Sequence, residues 1–480
     1  MNDKYELTIG IECHVQLATN SKLFSSSNND ARDKEPNLNV NPVDFGLPGM
    51  LPVLNREAIN LAIRAAKALN SSVAKLSRFD RKHYFYPDLP KGYQTTQMYQ
   101  PIIEAGYVDV PLDVGDDVRV RIHHAHIEED AGKLTHYSDY SLVDLNRAGT
   151  PLIEIVSEPD IHSSEQARAY ASELHKLMTY AGVTRGDLYH GNMRFDVNVS
   201  VALKGSSELG TRAEVKNLNS FRSVERAAEY EFKRQVELLE AGQSVVQETR
   251  GWNDDKGTTT SQRSKEDAQD YRYMPDPDIP PVVLTDDDIE KIQKLVPMLP
   301  GQYRDNWRDL QLDRSVMHAV LSNSSLAETL EAIRIESDNK TVKRVFNWFA
   351  SAGDFDTSAV ESGLVGPQRL SELSQMVGDN KLSSTGAKEV FFALFDEANT
   401  GKQPQEIAQA MNLLQNSDEG EIEQIVDTVL ADPASQRSID DIKAGKDKAI
   451  GYLVGQVMKQ SAGKANPGMA QSLIRKKLDT

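Results

Sequence analysis

Hydrophobic and polar residues alternate along several short runs in the first half of the chain, and each run predicts a strand. Leu7 to Leu17, Val118 to Ile127, Leu152 to Val156, Met193 to Val201 and Arg212 to Leu218 carry this pattern, with Gly, Pro and Asn punctuating the stretches between them. Three segments switch to a helical period. One follows Asn55, with Ala58, Leu61, Ala62, Ala65 and Leu69 on one face. A second starts after Ser163 and runs to about Tyr180, and a third runs from Phe221 to about Ala241, closed by Gly242. Met274 to Pro281 holds four prolines in eight residues. Proline fixes φ and donates no backbone hydrogen bond, so this segment is a stiff connector. Beyond it, Thr285 followed by three aspartates marks a helix N-terminus, and the pattern stays helical almost to the end. Breaks near Gly353-Asp354 and from Thr400 to Pro404 divide that half. The expected architecture is α+β: an antiparallel-sheet domain over 1–283, a helical domain over 284–403 and a helical tail over 404–480.

Composition narrows the class. The chain has 480 residues, enough for two to four domains at about 150 residues each. Lys and Arg number 54 against 72 Asp and Glu, a net charge of −18 that excludes a generally basic nucleic-acid coat. With Cys13 as the sole cysteine, the chain has no internal disulfide and no multi-cysteine zinc or iron–sulfur site. The first residues carry acids rather than the apolar run of a signal peptide, and no stretch approaches about 18 apolar residues. A cytoplasmic protein with no membrane partner is expected.

The polar faces of the strands bring in chemistry. Alternation puts Glu12, His14 and Gln16 on one side of the first strand, with Glu12 and His14 roughly 7 Å apart, two rises of about 3.3 Å. A carboxylate beside an imidazole suits metal binding or proton transfer, and it equally suits the solvated face of an amphipathic strand. Arg194, Asp196 and Asn198 share a face, as do Arg212, Glu214 and Lys216. Glu154 has apolar residues on both sides, so its strand is buried and its carboxylate needs a cation, a hydrogen-bond network or a proton. An ion pair with an arginine such as Arg147 and a metal contact are the alternatives. In His126-Ile127-Glu128-Glu129-Asp130, alternation sets Glu128 with His124 and His126, and Glu129 on the other side. Which acid faces the site stays open. Oxygen-rich donor sets favour Mg²⁺ over zinc. The chain has neither a P-loop nor a Gly-x-Gly-x-x-Gly fingerprint, so any ATP phosphates must be held by carboxylate-bound Mg²⁺ and scattered Lys or Arg.

Longer motifs carry a resemblance. Val-Asp-x-Asn-Arg-x-Gly-x-Pro-Leu-x-Glu-x-Val runs in full from Val143 to Val156. Around it stand Gly-Ile-Glu-x-His-Val at Gly10 to Val15, Tyr84 to Gln94, Glu214 to Ser220, Arg263 to Asp267 with Asp270 to Tyr273, and Gly455 to Lys459 with Gly463 to Pro467. In these motifs, which span nearly the whole chain, the sequence resembles the B subunits of bacterial aspartyl/glutamyl-tRNA(Asn/Gln) amidotransferases. The resemblance implies a catalytic cradle domain that phosphorylates the side-chain carboxylate of Glu-tRNA(Gln) or Asp-tRNA(Asn) with ATP and lets ammonia displace the phosphate. It implies Mg²⁺ or Mn²⁺ among Glu12, His14, Glu129, Glu154 and Asp196, which are also the catalytic set. The resemblance, through the spacing to the Pro-Leu-x-Glu glutamate in the family, implies Glu129 rather than Glu128. Lys82 and Lys91 are expected at phosphate, with Glu214 and Lys216 also assigned to the nucleotide.

The resemblance has one gap. Many such subunits carry Cys-x-Cys after a Leu-Phe pair and Cys-x-x-Cys before Gly-Leu-Pro-Gly, whereas this chain has Ser25, Ser27, Asn41 and Asp44 there. No zinc is expected, and packing or hydrogen bonds must hold that loop. Ammonia must come from elsewhere, because Cys13 lacks a glutaminase context. The resemblance supplies an amidase A subunit and a small C subunit, making a heterotrimer. From Lys443 onward eight basic residues face two acids, which suits tRNA backbone binding. The competing functional class is a non-catalytic tRNA-binding adaptor for the amidase.

Overall fold

The alternating runs become the strands of one large sheet in the computed structural model, which describes residues 4–264, 270–352, 360, 362–415, 419–461 and 463–478. Lys265 to Asp267 and the Gly353-Asp354 break lie outside those residues. The chain divides into two compact units, Met1–Gln302 and Tyr303–Thr480.

The first unit holds, in chain order, β1 (Tyr5–Gln16), α1 (Arg56–Ala68), β2 (Leu76–Ser77), β3 (Asp80–His83), β4 (Tyr93–Thr96), β5 (Gly106–Val110), β6 (Val118–Glu129), β7 (Lys133–His136), β8 (Ser141–Asp144) and β9 (Pro151–Ser157). It continues with α2 (Ser164–Tyr180), β10 (Met193–Leu203), β11 (Ala213–Leu218), α3 (Phe221–Glu240), β12 (Glu248–Asn253), β13 (Thr258–Ser264), β14 (Met274–Pro275) and β15 (Val282–Val283). Each of the three helices begins where a side chain satisfies a free backbone amide: Asn55 accepts from the Glu57 amide, Ser163 from Gln166 and Ser220 from Ser223.

The main sheet has the order β13-β12-β11-β10-β1-β9-β6-β5. Every pairing is antiparallel, as expected, except that β11 and β12 run parallel. A parallel neighbour needs a long crossover, and α3 supplies it. One face of the sheet is apolar: Ile9, Ile11, Cys13 and Val15 of β1 and Phe195, Val197 and Val199 of β10 are fully buried in a core shared with the inner sides of α1, α2 and α3. Fully burying a side chain of this size contributes about 1.5–3 kcal/mol. That core fixes the register, so the polar residues between these positions must all emerge on the opposite face.

The proline-rich connector is pinned to this unit. Met274–Pro275 pairs with β3, and Arg81 reaches Asp276 at 3.0 Å and Asp278 at 2.7 Å. The unit then runs past residue 283, because Ile289, Ile292, Val296 and Leu299 pack on its core. Thr285 and Asp288 form a capping box at the start of that helix.

The second unit holds helices and no strand among its described residues. Position 404 begins a helix inside this unit, and Ile422 to Ile474 gather into an apolar cluster of their own. Among the described residues, no helix is long and apolar enough to cross a membrane.

Candidate active site

Register places the candidate side chains. His126 of β6 lies opposite Glu154 of β9, Glu154 opposite His14 of β1, and His14 opposite Arg194 of β10. One step along, Glu12 faces Asp196, and Asn198 faces Glu214 of β11. Directly opposed side chains stand about 4.5–5.5 Å apart at Cβ. Five neighbouring strands therefore deliver their polar residues to one continuous patch on the side of the sheet away from the helices.

Two groups of three form within that patch. The potential ligand atoms of His14, Glu128 and Glu154 all lie within 4.8 Å of one another, and so do those of Glu12, Asp196 and Glu214. His14 Nε2 is 3.5 Å from both Glu128 Oε1 and Glu154 Oε2, and His126 Nε2 is 3.4 Å from Glu154 Oε2. In the second group Lys216 Nζ reaches Asp196 Oδ2 at 2.8 Å and Glu214 Oε1 at 2.9 Å. Asn198 donates to Glu12 Oε1 at 3.0 Å, and Thr249 donates to Glu214 Oε2 at 2.9 Å.

The crowding shows in protonation. Burial and the neighbouring Glu154 and Glu214 carboxylates push the Glu12 carboxyl up. Burial alone would discharge His14, but Glu154 and Glu128 outweigh it and hold the imidazole up at about 9. Burial also works against the Glu154 carboxylate, yet His14, His126 and Lys82 pull it well below the usual carboxylate range. Protons and a lysine thus compensate gathered negative charge, a task a divalent cation performs by displacing them. Hard oxygen donors with one imidazole fit Mg²⁺ or Mn²⁺.

Of the expected metal set, Glu12, His14, Glu154 and Asp196 lie in these groups and Glu129 does not, while Glu214, expected at the nucleotide, joins Glu12 and Asp196. Alternation along β6 turns Glu129 the other way, where its carboxylate accepts from Lys91 Nζ and from the Thr95 amide at 2.9 Å. Glu128 stands with His14 and Glu154 in its place. The period-two pattern carried this signal, since it aligned Glu128 with His126. Glu154 is not paired with Arg147, which together with Arg194 engages Asp130 at 3.0 and 2.7 Å. Lys82 stands over the rings of Tyr271 (4.8 Å) and Tyr84 (5.9 Å), near enough for its charge to act on Glu154. Tyr273 belongs to the same roof: burial, Tyr271 and the charges of Glu128 and Glu154 push its hydroxyl up to about 12. The motifs Tyr84 to Gln94 and Asp270 to Tyr273 contained these tyrosines, but no periodicity assigned them to the site, because they lie in loops rather than in strands.

Similarity to known proteins agrees with this geometry. Residues 7–290 match the GatB/GatE catalytic domain family, and residues 327–478 match the GatB domain family. The B subunit of the aspartyl/glutamyl-tRNA(Asn/Gln) amidotransferase of Alcanivorax borkumensis is 46% identical over 485 residues, covering 99% of each chain. Its counterpart in Caldicellulosiruptor saccharolyticus is 44% identical over 488 residues, again 99% of each, and that of Alkalilimnicola ehrlichii is 45% identical over 486 residues. With a sheet face gathered around two acidic groups and this similarity along its whole length, the chain belongs to the family of aspartyl/glutamyl-tRNA(Asn/Gln) amidotransferase B subunits.

Proposed function

We propose that this protein activates and amidates the side-chain carboxylate of Glu-tRNA(Gln) or Asp-tRNA(Asn), forming Gln-tRNA(Gln) or Asn-tRNA(Asn) in the cytoplasm. A carboxylate at neutral pH is a poor electrophile. Transfer of the γ-phosphoryl of ATP to a carboxylate oxygen gives an acyl phosphate and ADP. Ammonia then attacks the carbonyl carbon, the C–O bond to phosphate breaks, and amide, phosphate and a proton are the products.

The observation that carries this reading is the pair of three-ligand groups on one sheet face. His14, Glu128 and Glu154 would hold one Mg²⁺, and Glu12, Asp196 and Glu214 a second. Bound there, the metal would neutralise charge on the phosphate oxygens during transfer. Asn198 and Thr249 orient Glu12 and Glu214, and Lys216 keeps Asp196 and Glu214 from repelling each other. Lys82, near the rings of Tyr84 and Tyr271 and close enough to act on Glu154, would meet phosphate beside the first group. Lys91, anchored by Glu129 on the other side of β6, would meet the phosphate from there. A non-catalytic adaptor has no use for six ligands gathered at such electrostatic cost.

Ammonia comes from a partner. Cys13 is fully buried in the core and burial pushes its thiol up, the opposite of a glutaminase nucleophile. This supports an amidase A subunit as the source, with a small C subunit completing the heterotrimer. The test is trapping: the assembled complex, given Glu-tRNA(Gln), ATP and Mg²⁺ but no ammonia donor, should yield a γ-hydroxamate on adding hydroxylamine. Glutamine-driven amidation with no trappable acyl phosphate would contradict the reading.

A further inference from the structure

Lys22 is a buried charged group that the proposed chemistry does not use. Its side chain is 0% exposed, a rare place for lysine. Nζ reaches Asp44 Oδ2 at 3.1 Å and donates to the Asn39 carbonyl at 2.9 Å. The same Asp44 oxygen accepts from Ser27 Oγ and from the Asn41 amide, each at 2.9 Å. One carboxylate oxygen thus gathers three donors from two loop segments. Burial pulls the ammonium of Lys22 toward neutrality, and the Asp44 carboxylate opposes it.

Three of these residues stand where resembling chains carry cysteines. Ser27, Asn41 and Asp44, with Ser25, offer no thiolate, and Asp44 Oδ2 is already occupied by an ammonium, a hydroxyl and an amide. The residues do not fit zinc.

What this knot touches gives it a use. Gly46, two residues past Asp44, lies so close to Lys91 that a Cβ there would meet Lys91 Cα at 3.0 Å and Cγ at 2.9 Å. Phe24, between Lys22 and Ser25, has its ring 5.8 Å from Lys91 Nζ. Gly149 closes the other side, where a Cβ would meet Asp44 Oδ1 at 2.9 Å. Lys91 is therefore packed at its backbone against one loop segment, while its ammonium, paired with Glu129, stands near the Phe24 ring of the other, and the Lys22–Asp44 pair joins the two segments.

We infer that Lys22 and Asp44 are positioning residues that cross-link the two loop segments and set where the Lys91 ammonium stands. The inference rests on the proposed role of Lys91 at phosphate. The experiment uses the assembled complex with Asp44→Asn, the milder Ser27→Ala, and Lys91→Ala as reference. It measures kcat and KM for ATP, hydrogen exchange of the 38–47 amides, and zinc content. Asp44→Asn should speed exchange in 38–47 and lower kcat/KM for ATP by about tenfold, the scale of a small misplacement. Ser27→Ala should shift both in the same direction by less, and Asp44→Asn should add little once Lys91 is alanine. Kinetics moved by Lys91→Ala but untouched by Asp44→Asn and Ser27→Ala would overturn the inference, as would one tight zinc per wild-type chain. Exchange loosened in Asp44→Asn with kinetics unmoved in every variant, Lys91→Ala included, would overturn the role given to Lys91 and leave the cross-link standing.

Discussion

Two adjacent glutamates on β6 have opposite surroundings. Glu128 faces His14 and Glu154, and Glu129 faces Lys91 and the Thr95 amide. The difference was legible in the alternation that aligned Glu128 with His126, whereas motif spacing pointed to Glu129. Spacing along a motif counts residues, but a strand sorts them by face. Glu128→Gln should therefore lower tRNA-stimulated ATP turnover by roughly 10²-fold or more and weaken its dependence on Mg²⁺. Glu129→Gln keeps the Thr95 contact and unbalances Lys91, so its expected signature is a raised KM for ATP with an unchanged Mg²⁺ requirement. Mg²⁺ titrations of both variants check this, and equal Mg²⁺ dependence in the two would count against the assignment.

Elements were easier to read than their neighbours. The helical periods after Asn55, after Ser163 and from Phe221, and the period-two runs, located α1, α2, α3 and the main strands, because these signals are local. That β12 lies parallel to β11 depends on α3 acting as a crossover, which no local pattern records. The proline-rich segment shows the same limit. Its stiffness is local, but its attachment to β3 depends on Arg81, about two hundred residues earlier in the chain. In the second unit, Glu331 on the helix Ser324–Glu336 binds Trp307 Nε1 at 2.6 Å, Asn306 at 2.9 Å and Arg334 at 2.8 Å. Burial pushes its carboxyl up, but Arg334, Trp307 and Asn306 outweigh burial and hold it below the usual range. A depressed acid stabilises the fold above its unfolded pKa of about 4.3 and loses that contribution as pH falls through the folded value. Thermal melts should show this unit weakening below about pH 4, and Glu331→Gln should cost about 1–3 kcal/mol at neutral pH while flattening that acid dependence. An unchanged melt in Glu331→Gln would contradict the role given to this network.

At the scale of the whole molecule, the proposed function would have charge separate capture from chemistry. Of the eight basic residues from Lys443 onward, Lys446, Arg475 and Lys477 pair with acids at 2.6–3.1 Å. Lys443, Lys448, Lys459, Lys464 and Lys476 make no ion pair among the described residues. Under the proposed function, phosphate contacts by these lysines would anchor the tRNA body. Replacing the five by alanine in the assembled complex should weaken tRNA binding and lower the slope of log affinity against log salt by roughly one unit per lost contact. Tight binding with an unaltered slope would make them ordinary solvated helix residues. The measurement that bears most directly on the proposed chemistry is ATP hydrolysis by the complex with and without misacylated tRNA, in wild type, Glu12→Ala and Asp196→Ala. Stimulation by misacylated tRNA in wild type, lost in both variants while tRNA affinity and glutaminase activity persist, is the expected result. Stimulated turnover undiminished in either variant would contradict a phosphoryl-transfer site on this sheet.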